Sequence, residues 1–293
     1  GVTSLELTTY AWGHFGVLPL DPDPSRPNGG AIEWAYRLPP AVLADARART
    51  SVFGPAAIVV NHPRDSGAGR IAFAYFEAAG YDPVTGTASN AELWDPGFSL
   101  IEVFNDSNFD RNVDGPVRDW FSFLGRGLRT FAVGSSDSHG VIGSPIGYPR
   151  TCMELGTDST ATLRTMGAGA VRDALLGGHA TISGSLYVDA RVGTAGPGDE
   201  ATGLGPRAMV DVTVEGASWI DADRLRVFVD GTMVEEIPFT STDAILRFDD
   251  VVEVDVAAAG SWVVFVASGD AALEPVHPGR LPFAVTNPIF LGR

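Results

Sequence analysis

The chain has 293 residues, 45% of them hydrophobic, and a formal net charge of −16. That length can fill one large core or two domains, and the lack of any basic stripe excludes the usual nucleic-acid-binding surface. A single cysteine, Cys152, excludes both an internal disulfide and a cysteine-rich metal site. No apolar run approaches the length of a membrane span. The acidity serves solubility and is compatible with a soluble, periplasmic or secreted bacterial setting.

Taken in chain order, the first half alternates strand and helix. Ser4–Thr8 reads as a strand with Leu5 and Leu7 on one face and Glu6 on the other. Pro39–Arg49 carries Val42, Leu43 and Ala46 at helical spacing behind an initial proline. Ala56–Asn61 holds the continuous run Ala57-Ile-Val-Val60, expected of a strand covered on both faces. Arg70–Ala79 reads as a helix stopped by Gly80. Ser99–Asn105 and Arg129–Gly134 read as strands. Pro116–Leu124, with Val117, Trp120, Phe121 and Leu124 on one stripe, and Ala170–Leu176 read as helices. Such alternation predicts parallel βαβ units, with sites after the strand ends.

After about residue 185 the pattern changes to successive short strands. Leu186–Val192, Ala208–Val214, Leu225–Val229, Met233–Phe239, Ala244–Phe248, Val251–Val256 and Ser261–Ala267 are expected to form an antiparallel β-sandwich. Asp230-Gly231 between two of them is a hairpin signal. The expected division is therefore 1–184 and 185–293.

The chemistry-bearing residues collect at the ends of the apolar runs. Asp137 and His139 form an Asp-x-His pair closing the run that begins at Ala132, and alternation predicts that they share a side. Glu6, His14 and His62 stand at or just past the ends of other runs. Any one of these is most simply a turn residue or a satisfied core histidine. Four apolar segments ending in metal-type ligands point instead to a metal-binding rim. Gly13 before His14 allows close backbone approach to a ligand. Glu102, inside an apolar strand, needs a buried partner and is expected to hydrogen-bond a ligand or an arginine. Asn105 and Arg64 are rim residues; Arg64 suits either an anionic substrate group or a structural ion pair. His179, His277, Trp120 and Phe121 read as structural.

Several stretches together resemble the PHP (polymerase and histidinol phosphatase) superfamily of metal-dependent hydrolases, nearest its carbamate-ester-hydrolase branch. They are Leu5-Glu-Leu-Thr-Thr9, Gly13-His-Phe15, Val59-Val-Asn-His-Pro-Arg64, Ile101-Glu-Val-Phe-Asn105, Gly134-Ser-Ser-Asp-Ser-His139, Pro149-Arg-Thr151, Gly178-His-Ala180 and Thr286-Asn-Pro-Ile289. The resemblance implies an α/β fold, the C-terminal portion of a distorted (β/α)7 barrel, followed by the β-sandwich. It implies two or three divalent ions, zinc, manganese or iron. Glu6 would bridge ions, His14 and His62 would complete one shell, Asp137 would hold a second ion and His139 a third. Glu6 and Asp137 would be the catalytic pair. The family's opening His-x-His is absent, since the histidines are at 14, 62, 139, 179 and 277. An upstream part of the same precursor, or a second subunit, is expected to supply it.

The expected function is hydrolysis of an ester, carbamate or phosphoester small molecule by metal-activated water. The alternative is a non-catalytic binding or assembly module with an incomplete metal site; stoichiometric metal separates the two.

Overall fold

A computed structural model describes residues 2–64, 74–140 and 146–293. The first half places β1 Leu5–Thr8, β2 His14–Leu18, β3 Thr50–Ser51, β4 Gly54–Pro55, β5 Ala57–Asn61, β6 Tyr81–Asp82, β7 Thr87–Ala88, β8 Leu100–Asn105 and β9 Phe131–Ser135. Its helices are α1 Pro39–Ala48, α2 Tyr75–Ala79, α3 Phe109–Asn112 and α4 Arg118–Gly125. Five of these strands make one sheet in the order β1-β2-β5-β8-β9, and β3-β4 and β6-β7 are two-residue ribbons.

The sheet has two distinct faces because the strands alternate. Leu7, Phe15, Val17, Ile58, Val60 and Ile101 point to a core that Val42 and Leu43 of α1, Phe76 of α2 and Trp120 and Phe123 of α4 complete. On the opposite face, Ala57, Val59, Leu100 and Phe131 pack against Leu175 of α5 Thr160–Gly177. That apolar cover reaches only part of the face. Beyond it, the same face carries Glu6, His14, Asn61 and Glu102, by register with Gly16, Val59 and Leu100.

The second half contains β10 Arg150–Met153, β11 Ala180–Gly184, β12 Leu186–Arg191, β13 Glu200–Ala201, β14 Arg207–Gly216, β15 Arg224–Val229, β16 Thr232–Pro238, β17 Leu246–Asp255, β18 Ser261–Ser268, β19 Phe283–Thr286 and β20 Ile289–Leu291. A sheet ordered β10-β11-β19-β18-β15-β16, with β20 and β13 attached, faces a three-stranded sheet β12-β14-β17. Every residue of β18 is buried. One of its faces meets the smaller sheet, and on the other Trp262 packs against Phe121 while its neighbour Phe228 packs against Phe109. Asp230 and Gly231 both have positive φ (49° and 83°) between the paired Val229 and Thr232. Two such residues are what a type I′ hairpin requires. The expected strands at Ala244–Phe248 and Val251–Val256 are one long strand, β17.

The expectation of an α/β chain derived from a (β/α)7 barrel is overturned. Strand makes up 37% and helix 19% of the described residues, and the β1/β2 and β2/β5 pairings are antiparallel. Among the described residues, only β5/β8 and β8/β9 of this first sheet are parallel. The physical reason lies at residues 9–13. A five-residue link cannot hold a crossover helix, so it turns the chain straight back. The buried Thr9 hydroxyl donates to Gly13 O at 2.6 Å and accepts from the Trp12 N–H at 3.3 Å, closing that turn. Sequence reading missed β2 because the strand is only five residues long and carries Gly16, a poor strand former, on the face opposite Phe15 and Val17.

The large sheet takes strands from both sides of position 184, with β10 and β11 before it and β13, β15, β16, β18, β19 and β20 after it. Of the expected helix at Arg70–Ala79, Tyr75–Ala79 is helical and 70–73 lie outside the described residues. Ala170–Leu176 lies inside the longer α5. No helix among the described residues is long and apolar enough to cross a membrane.

Candidate metal centre

Glu6, His14 and His62 converge. One ligand atom from each lies within 4.8 Å of the others, and among the described residues this is the group of three or more such side chains that could hold an ion. His14 Nδ1 is 3.6 Å from Glu6 Oε1, and the two imidazole rings meet edge to face with centroids 4.7 Å apart. Glu6 comes from the outermost strand, His14 heads the next, and His62 follows the third. His14 pairs with Thr8 on one side and Asn61 on the other. Strand alternation alone would send His62 to the face opposite Asn61. A φ of 27° at His62 ends the strand and breaks that alternation.

Gly16 makes the Glu6 position possible. It lies opposite Glu6 and opposite Val59 in the next strand. Over it, Asn61 Nδ2 donates to Glu6 Oε1 at 2.9 Å. A Cβ at Gly16 would come within 3.3 Å of Asn61 Oδ1. The hydrogen bonds from His14 and Asn61 outweigh partial burial and hold the Glu6 carboxyl down at about 2. Gly13 has φ 102°, and a Cβ there would meet the Tyr75 backbone N at 2.7 Å. The close approach expected of Gly13 is therefore to the backbone of α2.

A cleft of about 280 Å³ opens beside the cluster, lined by Glu6, Asn61, His62, Glu102, Asn105 and Asp137 among others. Glu102 is buried at its base. Burial pushes its carboxyl above the ordinary value, against the opposing hydrogen bonds from Ser135, Asn105 and the His62 backbone. Asn105 Nδ2 lies 3.2 Å from both Glu102 Oε2 and Asp137 Oδ2. The expected hydrogen-bonding role of Glu102 thus has named partners.

Asp137 and His139 lie beyond the end of β9, so strand alternation does not place them. Asp137 has φ 43° and faces the cleft. His139 Nε2 is 3.0 Å from Asp137 Oδ1, but its side chain is 85% exposed and does not line the cleft. Arg64 turns away from the cleft. Its Nε and Nη2 donate to the two oxygens of the fully buried Asp119 at 2.6 and 2.8 Å, and Nη2 also donates to Tyr81 O. Of the two readings of Arg64, the geometry carries the ion pair.

Sequence reading missed Asn61, Gly16 and Ser135. Asn61 had a visible signal, a polar residue closing an otherwise unbroken apolar run. Gly16 and Ser135 had none, since their roles depend on neighbouring strands. A larger depression of about 550 Å³ runs between the end of α4 and β20, with Arg129 and Glu200 in its wall. It holds none of the residues above.

No family model matches the chain, and no curated protein or solved structure matches it.

Proposed function

We propose that the chain is a metal-dependent hydrolase acting on an ester, carbamate or phosphoester at the cleft beside Glu6, His14 and His62. The carrying observation is the convergence of two imidazoles and one carboxylate from three adjacent strands. Two histidines with a glutamate form a common catalytic zinc set, and manganese or iron also takes these donors. Ligands of one tetrahedral ion stand about 3.4 Å apart, so atoms within 4.8 Å of one another would need to close by at most about 1.4 Å to share an ion. A bound divalent ion supplies an acidified water and polarises the scissile group.

The protein's own residues do the rest. Asn61 orients Glu6 across Gly16. Asp137, on the far wall of the cleft, is held by Asn105 and is placed to accept a proton or to bind a further ion. The ordered motifs resembling the PHP hydrolases add support for the ligand set, without the barrel. Bound substrate would lie between Glu6 and Asp137, where the cleft is open.

The test is metal analysis of protein purified without added metal, followed by assay on p-nitrophenyl esters, carbamates and phosphates. Stoichiometric metal, loss of turnover on chelation and recovery with zinc or manganese are expected. Protein that takes up no ion when titrated with zinc, manganese or iron(II) overturns the proposal in favour of a binding module.

A further inference from the structure

Three parallel strand ends in this fold meet on one side chain. Glu102 Oε2 accepts from the backbone N–H of His62 at 2.6 Å and from Asn105 Nδ2 at 3.2 Å. Its Oε1 accepts from the Ser135 hydroxyl. These partners come from the end of β5, from β8 and from β9. Asn105 Nδ2 also reaches Asp137 Oδ2 at 3.2 Å. A continuous chain of hydrogen bonds therefore runs from His62 through Glu102 and Asn105 to Asp137. Glu102 itself is only 5% exposed.

The donor balance suits a carboxylate. Each of the three groups bonded to Glu102 donates, and a carboxylate offers only acceptors. A glutamine of the same shape could keep the two bonds at Oε2 and turn its NH2 to the Ser135 hydroxyl, which can also accept, so only a side chain without acceptors there removes all three bonds. Bonds from neutral donors to a carboxylate are charge-assisted and are the stronger kind. The bond to the His62 N–H matters most, because it holds a residue whose φ of 27° any non-glycine residue adopts rarely.

We propose that Glu102 is a positioning residue that fixes His62 and Asp137 relative to one another, so that ion binding depends on a side chain outside the ligand set. This rests on the metal reading above. Glu102 holds the backbone of one candidate ligand directly and the carboxylate of Asp137 through Asn105. Its contribution is to the angle and register of those groups, not to their number.

The experiment measures zinc affinity of the full chain by competition with a chelating dye, at a temperature well below melting. The variants are Glu102→Ala, Asn105→Ala and Glu6→Gln. Cobalt(II) absorption is recorded alongside, because it reports ligand geometry. Glu102→Ala is expected to weaken zinc about 10- to 100-fold, the usual effect of removing a group that orients a ligand, and to change the cobalt spectrum. Glu6→Gln should abolish tight binding. Zinc affinity and cobalt spectrum both unchanged in Glu102→Ala, with Glu6→Gln impaired, overturn the positioning role and leave the metal reading standing. Wild-type protein that binds neither ion overturns both. If Glu102→Ala does not fold, Asn105→Ala carries the test: weakened zinc supports the proposal and wild-type affinity overturns it.

Discussion

Glu6 bears on stability as well as on the proposed metal site. Its carboxyl lies at about 2, below the ordinary 4.5, chiefly through the hydrogen bond with His14 and then that with Asn61, against partial burial. A folded-state value below the unfolded one means that the charged form stabilises the fold. That contribution is complete above about pH 4.5 and is lost as pH falls toward 2. Glu6 is about two-fifths exposed, so screening keeps the effect below about 1 kcal/mol. Acid unfolding of the metal-free protein should therefore lose less stability between pH 4.5 and 2 in Glu6→Gln than in wild type. Identical acid limbs would mean that the pairing of Glu6 with His14 and Asn61 is absent in solution.

At the scale of the element, the β1–β2 hairpin is governed by two glycines with different duties. Gly13 has a positive φ and no room for a Cβ against the Tyr75 backbone. Gly13→Ala should cost about 1–3 kcal/mol from backbone strain alone, read as a lower urea midpoint. Gly16 lies in ordinary strand conformation, where a β-branched residue is favoured. Its added Cβ meets Asn61 Oδ1 at 3.3 Å, directly over the Glu6–Asn61 hydrogen bond. Gly16→Val should leave the urea midpoint nearly unchanged while lowering zinc affinity. Zinc binding that survives Gly16→Val would remove the Asn61 contact from the account of the site.

For the whole molecule, the question is whether the two halves melt together. Asn287 is 1% exposed and bridges them. Its Oδ1 accepts from Ala132 N at 2.8 Å, and its Nδ2 donates to the carbonyls of Ala132 and Ala180, each at 3.1 Å. Ala132 belongs to β9 of the first sheet, and Ala180 opens β11 of the second. Arg280 adds a second bridge, donating to both oxygens of Asp106 at the turn that follows β8. A single thermal transition is expected. Asn287→Ala leaves buried backbone groups unpaired and should destabilise by about 1–3 kcal/mol. Hydrogen exchange should rise in both sheets in that variant. Two separate transitions in wild type would show that these bridges do not couple the halves.

Local pattern was enough for much of this. The strands at Leu5–Thr8, Ala57–Asn61 and Leu100–Asn105 and the hairpin at Asp230-Gly231 were legible because alternation, burial and turn chemistry are written in neighbouring residues. The ligand types Glu6, His14 and His62 were legible as polar residues beside apolar runs, although the structure puts Glu6 inside its strand and His14 at the head of the next, and only His62 just past a strand end. Direction and partnership were not. His14 begins an antiparallel strand because a short buried turn at Thr9 reverses the chain, and no periodicity records that. Arg64 finds Asp119 fifty-five residues away, and Glu102 gathers donors from two neighbouring strands. The sequence by itself determined which segments extend and which residues can bind an ion. Only the tertiary structure decided which strands lie side by side, since that choice is set by burying one face against distant helices and satisfying buried polar groups across the sheet.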